Sequence, residues 1–585
     1  MNVDKALSSL GRYSRWQMFY MVFLGVFSCL PDAWSILGIV FIGATPEHYC
    51  KPHPGRNITE SSPYELRDGA FVPSQCQMYA NGTNSTVPCM YGWEYGDEFE
   101  STIVTDWDLV CGKAVYVQTS AVIFSLGIVV GAILFTSLAD KIGRKPVYFG
   151  CAWMMAVIGI SRSFSQNYTT FAILSFFIGM FEQGADVAAF VLAQELFPGD
   201  QRTMAASIIC CFWAISVALL APVAYLVRNW RYLQLVLVIP SVLTIPMYWF
   251  TPESITWLVA NGRIEEAIDT LKKAAKFNNI KLPDAVLTAS VYNINNNDPE
   301  SDEKETLSKL MMEDEIVEHK TVDAVNAMEK STPFQRLKLW LGWRKQLNST
   351  SVLDLLKHPK MILYSGIMAF LWFVNTVTYY GLALSTNNLS GNRFVNFFIG
   401  GIVELPAYLF IMFLLHILGR RHPLFLFHIL AGLALIASPF IPKGLGGLST
   451  ALVMIGKLAI SSSFGILWIY APEIYPTNFR NIGLGFASAS GRIAGILAPY
   501  TGYVDTLIPW FSGVTFGVAA LISAFLGILL PETLNRPLPM TFDEVVAWKR
   551  SLSKEEKQKL KWKCCSGDNE RNSTNVTEQE ELNNL

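Results

Sequence analysis

Six charged side chains interrupt long apolar stretches of this sequence, and their types indicate binding of a charged ligand. Four are acids and two are bases: Asp32, Glu182, Asp186, Glu404, Lys457 and Arg492. A charge in an apolar stretch of membrane-spanning length costs roughly 2.5–3.5 kcal/mol on insertion scales, so it needs either an opposite charge or a water-filled cavity. For Asp32 and Lys457 both alternatives stand. Glu404 and Arg492 lie near the middle of their stretches, which favours a cavity.

Glu182 and Asp186 are four residues apart, so a helix places them on one face. If this pair lines the same cavity as the other charges, the four acids outnumber the two bases. That excess favours a cationic or zwitterionic ligand and makes a purely anionic one the least suitable.

Motifs for covalent chemistry are not found. The sequence has no Walker-type phosphate loop, no His-Glu-x-x-His zinc motif and no nucleophile elbow. We therefore expect no catalytic residues, no metal, no cofactor, no nucleic-acid partner and no ATP-driven pumping.

Composition identifies the elements that must position these charges. Of 585 residues, 51% are hydrophobic and only 16% are charged, whereas soluble proteins carry about 25% charged residues. An apolar run of about 20 residues is long enough to cross a bilayer as a helix. Twelve such spans are predicted: 16–44, 114–139, 146–165, 169–194, 203–227, 231–251, 360–384, 394–418, 422–441, 448–471, 481–505 and 509–530.

An internal repeat divides the chain. "QELFPGDQR" at 194–202 matches "PEIYPTNFR" at 472–480 with an offset of 278, and "KIGRK" and "PES" recur as "ILGRR" and "PET" with offsets of 276 and 279. The prediction is an all-α membrane protein with two six-helix repeats. Its segments are an N-terminal half (1–251), a cytosolic linker (252–359), a C-terminal half (360–530) and a cytosolic tail (531–585).

Charge asymmetry predicts the orientation. The amino terminus and the short loops on its side carry ten Lys and Arg residues, against four on the other side, which places both termini in the cytosol. The large loop at 45–112 is then extracellular. It carries glycosylation sequons at Asn57, Asn81 and Asn84, and four cysteines suited to two disulfides, of which three pairings are open: Cys50, Cys76, Cys89 and Cys111.

Several motifs resemble those of the major facilitator superfamily. "LADKIGRKPV" at 138–147 is similar to the loop between its second and third helices. Three further stretches resemble the organic cation, carnitine and organic anion branch of that superfamily: "STIVTDWDLVC" (101–111), "PESITWL" (252–258) and "EIYPTNFRN" (473–481). Two more stretches resemble the cation and carnitine members of this branch: "WFVNTVTYYG" (372–381) and "VELPAY" (403–408).

The resemblance implies roles for individual residues. Glu404 matches a substrate-facing glutamate, and Trp372 and Tyr379 match substrate-facing aromatics; Trp468 is matched by position alone. Arg492 stands where cation-selective members carry an aspartate and where anion and carnitine members carry an arginine. We interpret Glu182 and Asp186 as replacing that missing acid.

The resemblance also implies a gate on the cytosolic side. In the superfamily, the acid and the basic residues of the loop after the second helix pair with the other half in the outward-facing state. The residues assigned to such networks are Asp140, Gly143, Arg144, Lys145, Glu195, Arg202, Arg420, Arg421, Glu473 and Arg480.

The expected function is a multi-pass plasma-membrane transporter of organic cations, driven by the membrane potential and working by alternating access. The first alternative is a carnitine or zwitterion carrier, with or without sodium coupling. A receptor or sensor built on a transporter fold is the second, and an enzyme is the weakest.

Overall fold

The computed structural model covers most of the chain and is almost entirely helical. It describes residues 3–54, 57–67, 70–80, 85–198, 201–282, 358–476 and 479–534, together with Pro539 and Val545. Asn81, Asn84, most of the predicted linker and most of the predicted tail lie outside the described residues.

The helices form two groups separated by residues 283–357. The N-terminal group comprises α1 (Val3–Ser8), α2 (Arg15–Leu37), α3 (Ile39–Ile42), α4 (Ile58–Ser61), α5 (Ile103–Trp107), α6 (Val115–Ile142), α7 (Arg144–Ser163), α8 (Tyr168–Glu195), α9 (Arg202–Leu226), α10 (Trp230–Leu243), α11 (Ile255–Ala260) and α12 (Ile264–Asn278). The C-terminal group comprises α13 (Pro359–Leu384), α14 (Arg393–Ile402), α15 (Glu404–Leu418), α16 (Arg421–Ala437), α17 (Gly446–Ile474), α18 (Arg480–Leu507) and α19 (Phe511–Gly527).

Nine helical segments in the described ranges are long and apolar enough to cross a membrane. Three of the twelve predicted spans are not among them. Helix α7 matches most of 146–165 and α18 matches 481–505, but both are less apolar, and α19, in 509–530, is apolar but has only 17 residues. The chain is therefore a multi-pass helical membrane protein, and the count of twelve remains a prediction.

Local sequence explains where the helices begin and break. The side chain of Ser14 caps α2 in a capping box with Gln17, and the Asn392 side chain accepts from two backbone N–H groups at the start of α14. The predicted span 394–418 is interrupted at Val403. The cause is Pro406, which has no N–H to donate to the carbonyl of Ile402. Glu404 consequently occupies the first turn of a new helix, α15.

Glycines let α6 and α8 pack closely within the N-terminal group. A Cβ atom on Gly127 or Gly131 would lie 2.0 or 2.1 Å from a carbonyl oxygen of α8, and one on Gly179 would lie 2.2 Å from the Phe124 carbonyl oxygen on α6. Only residues without a side chain permit this approach, which is common between membrane helices.

The two groups contact each other at the end of the molecule where residues 45–112 lie. There the Phe394 ring of α14 stacks on Phe41 of α3 with centroids 5.3 Å apart. Arg393 Nε lies 2.8 Å from Glu98 Oε1. Gly401 of α14 meets the backbone of Ala218 on α9. This end is therefore closed between the two groups.

Residues 45–112 form a small region that contains short strands and is cross-linked by two disulfides. Three two-stranded antiparallel sheets pair β1 (His48–Cys50) with β6 (Trp93–Tyr95), β2 (Tyr64–Arg67) with β3 (Ala70–Pro73), and β4 (Gln77–Tyr79) with β5 (Thr86–Pro88). The disulfides are Cys50–Cys89 and Cys76–Cys111, one of the three pairings that the sequence left open. Asn57 is exposed in this region.

Candidate functional site

Glu404 is the centre of a polar chain that links helices of both groups. Its side chain is fully buried, and its Oε1 lies 3.1 Å from Lys457 Nζ on α17. The Tyr379 hydroxyl of α13 donates to Oε2 at 3.0 Å, and Trp213 Nε1 of α9 donates to that hydroxyl at 2.7 Å. We call these four residues the Glu404 cluster.

The local sequence positions both charges of the cluster. Glu404 begins α15, where the partial positive charge of the helix N-terminus favours a carboxylate. Gly400 leaves room for Lys457, since a Cβ there would lie 3.1 Å from the lysine Nζ. An ion pair and a cavity are the two environments that the sequence allows for Lys457, and the structure places it in an ion pair.

Aromatic rings form a wall beside the cluster, and we call them the aromatic group: Phe190, Trp372, Phe464 and Trp468. The Trp372 and Trp468 rings lie 4.7 Å apart edge to face, and Phe190 of α8 lies 5.7 Å from Trp468. Phe464 joins them to the Glu404 cluster, because its centroid is 6.1 Å from that of Tyr379. The Trp372 indole N–H is buried and has no hydrogen-bond partner among the described residues.

Three of the predicted acids line one small cavity. Asp32 of α2 and Glu182 and Asp186 of α8 surround a space of about 10 Å³, with Tyr148 on its wall; this is room for about one water molecule. Asp32 Oδ1 and Glu182 Oε2 are buried without hydrogen-bond partners in the described part of the chain. We call this space the acidic cavity.

Arg492 of α18, in the other group of helices, lies close to two acids of the acidic cavity. Its Nη1 donates to Gln183 Oε1 on α8, and it interacts electrostatically with Asp186 and Glu182. The predicted acid pair and the predicted arginine are thus neighbours across the two groups. They are separate from the Glu404 cluster, where Lys457 is the basic partner.

A network of ion pairs lies where α6 meets α7. Arg144 Nη2 is 3.1 Å from Asp140 Oδ1, and its Nε is 3.3 Å from Glu195 Oε2. Glu253 Oε1 accepts from the backbone N–H groups of Arg144 and Lys145 at 3.1 and 3.2 Å. Gly143, with φ of 108°, makes the turn between the helices.

The C-terminal group repeats this network. Arg420 binds Glu473 through two nitrogens at 2.8 and 3.0 Å. Glu532 accepts from the backbone N–H groups of Arg420 and Arg421 at 2.9 and 3.0 Å. Gly419, with φ of 78°, corresponds to Gly143.

Each of these two networks joins residues of one group of helices only, so among the described residues neither network links the two groups. Arg202 pairs with Asp4 at 3.3 Å, and the side chain of Arg480 lies outside the described part. Glu253 and Glu532 belong to the "PES" and "PET" repeat, which by itself indicates no role for them. Phe190, Gln183 and Trp213 are not predicted either, because an uncharged or aromatic residue in an apolar run carries no signal of function.

Glu253 gives a prediction about stability. Burial raises its pKa above the ordinary value, against the opposing effect of the N–H groups it accepts from. A raised native pKa means that this group favours the folded state at low pH, and that the contribution is lost as pH rises through the native pKa. Glu253→Gln keeps an acceptor oxygen and should weaken that pH dependence while leaving thermal stability at pH 7 near the wild-type value.

Glu253→Ala is the matched variant. It leaves the Arg144 and Lys145 N–H groups without their acceptor, which costs about 1–3 kcal/mol. Thermal unfolding in detergent at pH 5 and pH 8 measures both variants. Equal unfolding temperatures for the alanine and glutamine variants would show that the Glu253 carboxylate does not stabilise the protein by accepting from these N–H groups.

A bundle of membrane helices with buried charges from two similar groups, and with repeated ion-pair networks at the helix ends, defines a membrane transporter. Comparison with known proteins agrees. The profile of the Major Facilitator Superfamily matches residues 91–499. The chain is 31% identical over 560 residues to "Organic cation transporter protein" of Drosophila melanogaster, covering 93% of this chain and 94% of that one.

Two further relatives and one solved structure are also similar to this chain. "Organic cation/carnitine transporter 2" of Homo sapiens is 31% identical, with 93% and 94% of the two chains covered, and "Solute carrier family 22 member 6-A" of Xenopus laevis is 32% identical, with 86% and 87% covered. The proton:xylose symporter XylE bound to 6-bromo-6-deoxy-D-glucose shares the fold, with a TM-score of 0.57, 15% identity, and 92% and 99% covered. The chain belongs to the organic cation, carnitine and organic anion transporter branch of the major facilitator superfamily.

Proposed function

We propose that this protein is a polyspecific organic cation transporter of the plasma membrane, which takes tetraethylammonium-like and other amine cations. The observation that carries the proposal is the fully buried Glu404 carboxylate beside the aromatic group. A cation over an aromatic face gains about 0.5–2 kcal/mol without strict geometry. A carboxylate with several such faces therefore accepts cations of different shapes.

Substrate binding at this site involves a competition with Lys457. In the absence of substrate its ammonium group neutralises Glu404, and the Tyr379 hydroxyl holds the second carboxylate oxygen. An entering cation competes with Lys457 for the same carboxylate. The acidic cavity adds a second attraction for positive charge, since two of its carboxylate oxygens have no partner within the described ranges.

The arrangement of contacts between the two groups supports alternating access. The groups touch at the end bearing residues 45–112, and the described pairs of the two ion-pair networks each lie within one group. In our proposal twelve spans form two six-helix halves, both termini are cytosolic and the closed end is extracellular. The halves then rock around the central site, and opening of the closed end requires parting of the Arg393–Glu98 pair.

The membrane potential is sufficient as a driving force. A potential of 100 mV supplies about 2.3 kcal/mol for a monovalent cation, which corresponds to about 50-fold accumulation. No ATP-binding loop is needed for this.

Arg492 favours one alternative, which is transport of carnitine or another zwitterion, with or without sodium coupling. A zwitterion carries a carboxylate as well as a cationic group, and the Arg492 guanidinium beside the acidic cavity offers both charges in one place. The relatives named for organic cations and for carnitine are equally similar to this chain.

Uptake of labelled tetraethylammonium and carnitine in the same cells separates these functions. We expect tetraethylammonium uptake that follows the membrane potential and does not need sodium. Carnitine uptake that collapses without sodium would replace the proposal with the alternative. Binding without flux in proteoliposomes would indicate a sensor built on a transporter fold.

The acidic cavity yields a separate prediction. Glu182→Gln combined with Asp186→Asn removes two negative charges and preserves side-chain volume. We expect tetraethylammonium uptake at equal surface expression to fall about 10-fold, as for loss of one charge-assisted contact. Unchanged uptake would mean that the pair does not replace the missing acid of the cation-selective relatives. Glu266→Gln, on the exposed face of α12, is the control.

A further inference from the structure

A buried arginine that the transport site does not use lies near the end of α7. Arg162 is 5% exposed. Its Nη1 donates to Ser175 Oγ at 3.2 Å, its Nη2 donates to Gln234 Oε1, and its guanidinium lies 5.1 Å from the centre of the Phe171 ring. All of these partners are neutral.

This guanidinium has no carboxylate partner in the part of the chain that the structure describes: no Asp or Glu oxygen there lies within 4 Å of it. The neighbouring base, Arg231, already uses Asp106 at 3.2 Å. One positive charge is therefore left over at this place. An unpaired buried charge is costly, whereas a paired one is tolerated.

A small cavity adjoins the arginine. It lies between α2, α7, α8 and α10, has a volume of about 10 Å³ and is lined by Ser35, Arg162, Gln234 and Ser241 together with apolar side chains. Two buried polar atoms of this lining have no hydrogen-bond partner among the described residues, Arg162 Nε and Ser241 Oγ. Both can donate a hydrogen bond, one from a cation and one from a hydroxyl.

We propose that this cavity binds one small monatomic anion, of which chloride is the physiological example. A cavity of this volume has room for one group close to the size of a water molecule, which favours a single small ion and leaves no room for large polyatomic anions such as sulfate or phosphate. A water molecule would satisfy the two donors and leave the charge of Arg162 unbalanced. An anion satisfies the donors and the charge together.

The bound anion would hold four helices of the N-terminal group together behind the transport site. Met155 lines both this cavity and the acidic cavity, so the two are neighbours. The anion would not contact the transported substrate, because the cavity does not include the Glu404 cluster or Arg492. Its expected effects are chloride-dependent stability and, through the packing of α2 and α8, chloride-dependent uptake.

The test is thermal unfolding of the purified full-length protein as chloride replaces gluconate at constant ionic strength, together with retention of radiolabelled chloride. We expect a saturable rise in unfolding temperature with chloride and with bromide, and about one chloride bound per chain. Ser241→Ala keeps the charge and removes one donor, and should weaken chloride binding about fivefold. Arg162→Gln should abolish it.

The control is Arg228→Gln, which removes an exposed arginine of the same helical group and should leave chloride binding unchanged. If Arg162→Gln does not fold, the wild-type titration and the Ser241→Ala variant still test whether the cavity binds chloride. No retained chloride at 150 mM would overturn the proposal, as would equal unfolding temperatures in chloride and gluconate. Unchanged affinity in Ser241→Ala would overturn the assignment to this cavity.

Discussion

Glu404→Gln is expected to lower tetraethylammonium uptake by about two orders of magnitude. The substitution removes the carboxylate that attracts the substrate and leaves the Lys457 ammonium buried without a counter-charge. Removing one partner of a buried ion pair destabilises a protein by about 3–5 kcal/mol. Uptake per transporter at the cell surface, measured with a surface-biotinylation correction, is the quantity to compare.

Two further variants separate binding from folding. Glu404→Gln with Lys457→Gln removes both charges, so surface expression should recover while uptake stays low. Lys457→Gln alone keeps the carboxylate and removes its internal competitor, so tetraethylammonium should bind at least as tightly as in the wild type. If the double variant transports normally, Glu404 serves only to pair with Lys457 and does not contact substrate.

Gly401→Val is expected to reduce uptake at least 20-fold while external substrate binding persists. A Cβ at position 401 would lie 2.6 Å from the Ala218 backbone nitrogen and 2.7 Å from its Cα, and backbone atoms of a packed helix cannot move aside as a flexible side chain can. Overpacking of this kind typically costs about 1–3 kcal/mol. The valine therefore separates α14 from α9 and, in the proposed orientation, holds the extracellular end open.

Intact cells provide the measurement, because labelled tetraethylammonium can bind at the outer face even when it cannot be released inside. Gly495→Val in α18 is the matched control, since a Cβ there meets no atom within 4 Å. Uptake at the wild-type level in Gly401→Val would show that the close contact of α9 and α14 is not required in the transport cycle.

Features that depend on composition along the chain could be predicted from the sequence. Long apolar runs indicated the membrane helices because every backbone group must be bonded within a span. The offset of 278 between two short motifs predicted the repeat. The structure shows the same repeat in Glu253 and Glu532, which accept from the backbone N–H groups of equivalent turns. Glu404, Glu182 and Arg492 were identified because a charge in an apolar run is costly.

Features that depend on distance between helices could not be predicted in this way. Glu404 is 53 positions from Lys457, and Glu182 is 150 positions from Asp32, so no local pattern connects the members of either set. The pairing of the four cysteines was open for the same reason. Arg162, three residues from the end of a predicted span, was not among the six charges singled out from the sequence, and only helix packing shows that it is buried.

The sequence by itself thus determined which segments enter the membrane, that the chain is built from a repeat, and which charged residues need a compensating environment. The tertiary structure alone decided which charges meet: Lys457 with Glu404, and Arg492 beside the acidic cavity. The physical reason is that the cost of a buried charge is a property of one residue and its neighbours in sequence. The partner that offsets the cost is chosen by helix packing over distances of a few ångströms.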